Sequence, residues 1–333
     1  MDIDVAPFEP SDEQAIRQAW AIEQDSDEHE FPDIPHDPLE EFVLRVRQPP
    51  PGHRYERALA FLDGAPAGYI ELSMPLLDNL EILTTRLSVR PALRRRGVGR
   101  ALHTWAVDRA RADGRKRLIG QATDRAPGGP AFAAAMGAKP GLHDTRSRLD
   151  VTVVDLDVIE TMLAEARKHA DGYRLEIWQG MPPDAYIDDV AELDSMFIDE
   201  APLGDLEMEP EKVDAARIRS SEQNKLDRGL DRLHAGMVHE ATDSMVAWTT
   251  LNGMKAVPHH MMQHITLVHP GHRGHRLGLI VKLENLKQAL RIRPGLEAID
   301  TWNATSNEHM LAINRAMGFR AVDRWVDWQH TIS

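Results

Sequence analysis

Residues 87–102, LSVRPALRRRGVGRAL, run from an apolar strand through a basic loop into a helix. Three consecutive arginines before Gly-Val-Gly are typical of a nucleic-acid patch or a nuclear import signal. The same residues also suit a phosphate site, because glycine lets the backbone approach a ligand and the first amides of a helix have no intrahelical partner. Those amides and the helix dipole attract a pyrophosphate, and the arginines add positive charge.

The overall charge favours the phosphate site. The 333 residues carry 53 acidic and 39 basic side chains, a formal net charge of −14. A chain this acidic is a poor candidate for nucleic-acid binding through a general phosphate-neutralising surface. We therefore predict that the arginines serve one pyrophosphate and that the protein does not bind nucleic acid.

The loop occurs twice. Residues 266–281, TLVHPGHRGHRLGLIV, also form an apolar strand ending in Val, followed by a basic residue and Pro. An arginine follows each proline by three residues (Arg94 and Arg273), and a glycine comes five residues later (Gly99 and Gly278). The two glycines are 179 residues apart.

A second landmark confirms the repeat within the sequence. The short helical segments FAAAMGA and INRAMGF place Gly137 and Gly318 181 residues apart, close to the first offset. A chain of this length also exceeds what one hydrophobic core usually serves. We predict two domains, 1–152 and 173–333, joined by an amphipathic connector helix within 153–172 that packs on one or both of them.

Each half is predicted to contain the same elements. A strand and a helical region come first, then two strands forming a hairpin, marked by Asp63-Gly64 in the first half. A fourth strand, the helix after the loop, a fifth strand, a short helix ending in Met-Gly and a last strand follow. We assign each last strand to its own half.

Composition excludes several classes of site. The absence of cysteine rules out disulfides, thiolate zinc sites and a cysteine nucleophile. The histidine-rich runs at 259–264 and 269–275 could ligate zinc, but the second overlaps the glycine loop, which explains it better, and we predict no metal site. The acidic N-terminus has no apolar leader and no stretch is long enough to cross a membrane, so we predict a cytoplasmic protein.

The sequence resembles the GNAT acetyltransferase superfamily. Its motif A has the pattern [RQ]-x-x-G-x-[GA], which residues 94–99, RRRGVG, match at every defined position, and the element order of both halves is similar to that of the family. The resemblance implies an α+β protein with two GNAT-like domains in tandem, each a mostly antiparallel sheet flanked by helices. It also implies acetyl-CoA, with the pyrophosphate on the motif-A amides and the pantetheine paired with the fourth strand.

The resemblance assigns cofactor residues in both halves. Arg276 stands where the second motif should have its first glycine, so that loop departs from the family pattern. In compensation, the second half has three asparagines in the region that lines the thiol end of the cofactor in this family. The predicted cofactor residues are Val89, Arg94, Arg95, Arg96, Gly97, Val98, Gly99, Arg100, Leu267, Val268, Arg273, Gly274, His275, Arg276, Leu277, Gly278, Asn303, Asn307 and Asn314.

The catalytic residues follow less directly. An amine that attacks the thioester needs a proton acceptor and an oxyanion donor, and a backbone N–H near Val89 or Val268 suits the latter. Glu81 and His260, equivalent under the repeat, and His264 on the same strand face are the candidate bases. The tyrosine that serves as general acid in many GNAT proteins is absent, because Ala133 and Asn314 occupy its positions.

We predict an N-acetyltransferase that moves an acetyl group from acetyl-CoA to a primary amine of a small molecule, acting as a monomer or homodimer. We favour the second half for chemistry because of its polar lining, and the first half has the better phosphate loop. The acidic stretches 25–31 and 204–211 are candidates for binding a cationic acceptor. A CoA-binding sensor, a structural protein with degenerate domains and a transferase of longer acyl groups are the alternatives.

Overall fold

The computed structural model describes residues 2–332. The chain forms two compact units, neither of which is contiguous in sequence. The first unit contains Met1–His143, Leu203–Glu209 and Asp323–Ser333, and the second contains Asp144–Pro202 and Pro210–Val322.

The first unit has helices on both faces of one sheet. The elements that begin within Met1–His143 are β1 (Ile3–Pro7), α1 (Glu13–Glu30), α2 (Leu39–Arg47), β2 (His53–Leu62), β3 (Ala65–Pro75), β4 (Ile82–Val89), α3 (Val98–Ala112), β5 (Arg117–Thr123), α4 (Gly128–Ala135) and β6 (Lys139–Asp150). Helix α3 packs on the alanine- and leucine-rich face of β2 and β3, and α1 and α2 cover the opposite face around Leu59 and Tyr69.

The second unit repeats this arrangement. The elements after β6 are α5 (Leu156–Arg167), β7 (Tyr173–Gln179), α6 (Ile187–Ser195), α7 (Phe197–Glu200), α8 (Ala215–Asp227), β8 (Leu230–His239), β9 (Ser244–Met254), β10 (His260–Val268), α9 (Leu277–Ile292), β11 (Ala298–Ala304), α10 (Glu308–Ala316) and β12 (Arg320–Thr331). Helices α9 and α5 cover one face, and α6 and α8 cover the other around Trp248.

Both sheets follow one plan. In the first unit the strand order is β1-β2-β3-β4-β5-β12, and in the second it is β7-β8-β9-β10-β11-β6. All neighbouring strands are antiparallel except one parallel pair in each unit, β4 with β5 and β10 with β11. The predicted mixed fold with two GNAT-like domains is confirmed.

The last strand of each half is the exception to the sequence prediction. Trp325–Thr331 of β12 pair with β5 in the first unit, and Asp144–Asp150 of β6 pair with β11 in the second. Our assignment of each last strand to its own half was therefore wrong. The physical reason is that the residue pattern of a segment predicts a strand but does not identify its neighbour in the sheet. Strands β5 and β11 are equivalent in the two halves, so either could pair with either last strand.

The connector helix belongs to the second unit. Ile159, Leu163 and Ala166 of α5 are buried in the same core as α9, and Leu156 at its start is half exposed. The boundaries 1–152 and 173–333 remain a prediction for the extent of the sequence repeats, whereas the compact units include exchanged segments.

Candidate active and coenzyme sites

A cleft opens in each sheet between its two parallel strands. Strand β4 pairs with β5 only over Ile82–Thr85, and β10 pairs with β11 only over His260–Met262. Beyond these residues each pair separates, which leaves the inner edge of β4 and of β10 free for hydrogen bonding. Both clefts lead toward the loops that join β4 to α3 and β10 to α9.

These two loops have the same backbone conformation. In the first loop Arg95 and Gly97 have positive φ of 63° and 95°. In the second loop the equivalent residues, Gly274 and Arg276, have positive φ of 88° and 57°. Glycine and arginine have exchanged places, but the chain turns identically before each helix. Arg276 therefore leaves the cradle intact, despite breaking the sequence pattern.

The donors in these loops fit a pyrophosphate. Helices α3 and α9 are 15 and 16 residues long, and their first amides have no carbonyl within the helix to bind. The second residue of each helix is a glycine, which lets a neighbouring side chain pack against the helix backbone. A Cβ on Gly99 would lie 3.2 Å from the Phe132 ring, and one on Gly278 would lie 3.4 Å from Val268. Amides with positive helix ends suit the phosphates of CoA.

Arg94, the first residue of motif A, does not face the phosphate position in the structure. Its guanidinium donates to the Val89 carbonyl at 3.0 Å and to Ser26 Oγ at 3.0 Å, and it pairs with Glu30 at 2.7 Å. It thus joins the loop to the end of α1. The exposed side chain of Arg95 is left to supply charge, together with that of Arg100.

The second loop is tied in the same way. Arg273 pairs with Glu200 at the end of α7, as Arg94 pairs with Glu30 at the end of α1. His275 Nδ1 lies 3.0 Å from the His169 carbonyl, and because a carbonyl only accepts, this nitrogen carries the proton. Only Arg276 has an exposed, permanently charged side chain within residues 274–278.

A β-bulge distinguishes β10 from β4. The register between β10 and β9 shifts between Gln263 and Thr266, so His264 and Ile265 together face Thr250. Strand β4 pairs with β3 without any shift from Thr84 to Val89. A bulge leaves one residue out of the ladder, so one of His264 and Ile265 has no ladder partner on β9.

The side chain of Gln263 supports the bulge. Its Nε2 donates to Thr249 Oγ1 at 3.0 Å and to the Thr250 carbonyl at 2.9 Å, and lies 3.3 Å from the His264 carbonyl. Thr249 Oγ1 is in turn 2.7 Å from Thr266 Oγ1. These bonds hold the bulge carbonyls on one side of the strand. Sequence reasoning missed this feature, because a single glutamine in a strand carries no signal for a bulge.

His264 is the candidate base that the structure places at the bulge. Part of this residue is open to solvent, while its ring lies among protein atoms near Lys225 of α8 and Arg232 of β8. The surrounding protein reduces its hydration, and the positive charges of Arg232 and Lys225 add to this, so the pKa of His264 falls to about 3. The imidazole is consequently neutral at physiological pH.

His260 has a different environment. It is buried, and its Nε2 lies 3.0 Å from Asp300 Oδ2. Asp300 also accepts hydrogen bonds from Arg148 at 2.6 and 2.7 Å and from Arg146 at 3.3 Å. Burial by itself raises the pKa of Asp300, but the bonds from Arg148 and His260 outweigh it and lower that pKa to about 2. This placement favours a structural role for His260.

Glu81 lies immediately before β4, and its carboxylate forms ion pairs with two basic side chains. Lys116 and Arg117 both donate to its carboxylate, Arg117 at 2.9 Å. The hydrogen bond from Lys116 is the main cause of a lowered pKa for Glu81. A carboxylate held in the charged form by two partners is a poor proton acceptor. The structure does not bring Glu81 to the cleft between β4 and β5.

The corresponding face of the first unit is filled by ion pairs. Glu23 of α1 contacts Arg45 of α2 at 2.6 Å and Arg86 of β4 at 3.3 Å, and all but the Arg86 side chain are largely buried. Arg57 of β2 pairs with Glu71 of β3 at 2.7 Å. In the second unit, under the 179-residue repeat, Thr250 occupies the place of Glu71 and Ile265 that of Arg86.

The acidic stretches are also paired internally. In 25–31, Asp25 contacts Arg90, Asp27 contacts Arg86 at 3.2 Å and Glu30 contacts Arg94. In 204–211, carboxylates of Glu207 and Glu211 pair with Arg117 and Arg217, respectively. Acids already neutralised by arginines offer little charge to a cationic ligand, which weakens our expectation that these stretches bind the acceptor.

The three asparagines of the second unit divide into two roles. Asn314 donates to Asn303 Oδ1 at 2.7 Å, which joins α10 to the end of β11 beside the cleft. Asn314 is buried and its Oδ1 has no partner within the described part of the protein. Asn307 instead caps α10 by accepting from the Met310 amide at 3.1 Å. Among the described residues no group of His, Asp and Glu is arranged to hold a metal ion, and no helix there is long and apolar enough to cross a membrane.

Each unit thus has a splayed sheet and a glycine-containing loop that leads into a helix with free N-terminal amides, and comparisons with known proteins find this arrangement in acetyltransferases. The model of the acetyltransferase (GNAT) family matches residues 16–133. A tandem GNAT protein from the clavulanic acid biosynthesis pathway, solved without AcCoA, is 28% identical over 100% of this chain and 99% of its own, with a TM-score of 0.82. Residues 16–133 therefore match the GNAT family, and the chain as a whole is similar to a tandem GNAT protein.

More distant structures share the fold. A GCN5-related N-acetyltransferase from Sphaerobacter thermophilus is 15% identical, with 99% of this chain and 96% of that chain covered and a TM-score of 0.67. A putative acetyltransferase from Pyrococcus horikoshii is 14% identical, with 99% and 90% covered and a TM-score of 0.58. No curated protein matches the sequence.

Proposed function

We propose that the protein is an acetyl-CoA-dependent N-acetyltransferase of a small-molecule primary amine, and that the second unit performs the transfer. In this proposal the first unit binds CoA but does not turn it over. The observation that carries the assignment is the bulge of β10 with His264 beside it, because the corresponding strand β4 pairs without a shift and has no histidine.

The second unit offers the groups that direct amine attack requires. Acetyl-CoA, when bound, supplies the acetyl thioester. The amides at the start of α9 would hold the pyrophosphate, and the free edge of β10 would orient the pantetheine. The backbone N–H of the bulge residue that lacks a ladder partner is a better oxyanion donor than that of Val268, because it lies beside the candidate base.

His264 suits the removal of the amine proton. A neutral imidazole does not repel an approaching ammonium group, and its lone pair can accept a hydrogen bond from the attacking amine or from a water beside it. With so low a pKa the ring relays the amine proton to solvent and does not retain it. The buried Glu222–Arg232 pair behind it, at 2.6 Å, keeps both charges occupied. The tyrosine acid of other GNAT proteins has no counterpart, so we assign protonation of the departing thiolate to water.

The experiment separates the two units by their loops. Gly99→Glu and Gly278→Glu each place a carboxylate where one pyrophosphate would bind. We expect each variant to bind one fewer CoA by calorimetry, and thiol release with a panel of primary amines to fall at least about tenfold further in Gly278→Glu. Equal losses, or a larger loss in Gly99→Glu, would reject the second unit as the catalytic half. Binding that survives both substitutions would reject the phosphate loops.

A CoA-binding sensor is the second candidate, and one observation favours it for the first unit. That unit combines an intact phosphate loop with an acceptor face filled by the Glu23–Arg45 and Arg57–Glu71 pairs. Tight CoA binding with no thiol release for any amine of the panel would support a sensor for the whole protein. A cytoplasmic location and a monomer or homodimer are further parts of the proposal, which fractionation and light scattering would test.

A further inference from the structure

Five aromatic side chains form a titratable cluster beside the second phosphate loop. The members of this imidazole cluster are Tyr173 of β7, His239 at the end of β8, and His269, His272 and His275 of the loop. Ring centroids are 4.9 Å apart for His239 and His272, 5.6 Å for His269 and His272, and 5.2 Å for Tyr173 and His275. The Tyr173 hydroxyl is 2.9 Å from His272 Nδ1.

In the first unit, apolar side chains occupy the positions that correspond to the imidazole cluster. Ile3 pairs with Leu62 across β1 and β2, as Tyr173 pairs with His239 across β7 and β8. Leu93 is the counterpart of His272 under the repeat, and Leu93, Ile3 and Leu62 belong to one apolar cluster. Three apolar residues in one unit therefore correspond to a tyrosine and two histidines in the other.

The two loops also differ in permanent charge. Arg95, Arg96 and Arg100 of the first loop correspond to Gly274, His275 and Leu279 in the second. Arginine stays protonated at every physiological pH, whereas imidazole titrates near neutrality. The second loop has Arg276 in place of Gly97 as its own permanent charge. It therefore has fewer fixed cations for the same ligand.

No negatively charged group is paired with the imidazole cluster among the described residues, so its positive charge is not already neutralised. Among the side chains that the structure describes, no carboxylate lies within 4.0 Å of a ring nitrogen of the cluster. Its hydrogen-bond partners are neutral: Thr242, the Gly271 amide, Tyr173 and the His169 carbonyl. On the helix side, Glu165 of α5 interacts with Arg276 of the loop and with His169, whose carbonyl contacts His275. Burial, and then the charges of His239, His269 and His275, lower the pKa of His272.

We propose that the imidazole cluster supplies titratable positive charge to the second coenzyme site, in addition to Arg276, and that it takes up a proton from solvent when CoA phosphates occupy the loop. A dianionic ligand stabilises the protonated ring, and His272 Nδ1 then donates to the Tyr173 oxygen rather than accepting from it. The first unit binds CoA with permanent charge and needs no proton. This inference rests on the proposed binding of CoA by both loops.

Proton linkage provides the test. CoA binding to the full chain is measured by calorimetry at about pH 6, 7 and 8, in two buffers of different ionisation enthalpy. In Gly99→Glu, where the second site remains, we expect binding to strengthen by up to about tenfold per pH unit as the pH falls, with uptake of up to about one proton per CoA. Gly278→Glu, where the first site remains, should show only the titration of the CoA phosphate itself, at about pH 6.

His272→Leu and His239→Leu copy the first unit and serve as matched variants. Either one, in the Gly99→Glu background or in the otherwise unchanged chain, should reduce proton uptake at the second site to that of the first. Equal pH dependence at both sites, or full proton uptake in both leucine variants, would overturn the inference and leave the proposed function standing. A Gly99→Glu chain that binds no CoA at any pH, while remaining folded by circular dichroism, would overturn both.

Discussion

Arg276 holds in the second phosphate loop the left-handed backbone conformation that Gly97 holds in the first, with φ of 57° against 95°. Both residues immediately precede the helix that follows, α9 or α3. Two residues earlier the exchange is reversed, with Arg95 in one loop and Gly274 in the other. Each loop thus has one glycine and one arginine at its two left-handed positions, and the geometry is common to both.

The two left-handed positions should respond in opposite directions to a swap. Gly97→Arg places a Cβ 3.1 Å from Ile3 at a strongly positive φ, and we expect a loss of about 1–2 kcal/mol in unfolding free energy. Arg276→Gly relieves a similar strain, partly offset by the greater freedom of glycine in the unfolded chain. Urea denaturation of both variants measures this, and a stabilised Gly97→Arg would contradict the shared geometry.

Arg94 and Arg95 should have separable roles. Arg94→Gln removes contacts with Val89, Ser26 and Glu30, so we expect a lower Tm. The salt dependence of CoA affinity should be nearly the same in this variant as in wild type. Arg95→Gln should leave the Tm nearly unchanged and weaken CoA binding at the first site by a few-fold at low salt. Thermal scans and calorimetry at two ionic strengths distinguish them. If Arg94→Gln weakened CoA binding more than Arg95→Gln does, Arg94 would be the residue that contacts the phosphates.

We expect substitution of His264 to affect activity and substitution of His260 to affect stability. His264→Gln is expected to lower kcat by about 100-fold or more, because it removes the proposed proton acceptor. His260→Gln should mainly lower the Tm by disturbing Asp300, with a much smaller change in kcat. Kinetics and thermal unfolding of both variants test this, and a greater kcat loss in His260→Gln would reverse the assignment.

The pH profile offers a second test of His264. Since its pKa is lowered to about 3, the ring stays neutral as the pH falls from about 8 to about 5, and its protonation should produce no acidic limb in kcat/KM over that range. The measurement compares wild type with His264→Gln. An acidic limb at about pH 6.5 that disappears in the variant would show that the ring titrates normally.

Asp300 should make the second unit sensitive to acid. Its pKa is about 2 in the folded protein and about 4 in the unfolded chain, so its contribution of about 2 kcal/mol is present above about pH 4 and is lost as the pH falls from there to about 2. Asp300→Asn should cost about 3–5 kcal/mol at neutral pH, since the buried Arg146 and the neighbouring Arg148 lose their partner.

The exposed Asp184 is a matched control for this substitution. It pairs with Arg219 at the surface, and Asp184→Asn should change the unfolding free energy by less than about 1 kcal/mol. Chemical denaturation at about pH 7 and about pH 3 compares the variants. If Asp300→Asn is as stable as wild type at neutral pH, the buried pair is not what holds His260.

Several features of the fold could be predicted because local sequence determines them. The loops at Gly99 and Gly278, the strand-loop-helix order and the Met-Gly helix ends depend on residues close in sequence. The role of Arg94 could not be predicted, because Glu30 lies 64 residues away and only packing of α1 brings it to the loop. The imidazole cluster was missed for the same reason, since Tyr173 and His272 are 99 residues apart.

By itself the amino-acid sequence determined the duplication, the element order, the two glycine-containing loops and the resemblance to the GNAT family, because spacing along the chain and backbone preference are local properties. The tertiary structure alone decided which sheet receives β6 and β12, which histidine is buried with Asp300 and which lies at a bulge. It also decided that Arg276 leaves the second loop's backbone unchanged. Burial, register and partner choice depend on the residues that packing brings together, and the free energies of those contacts are not encoded at any single position.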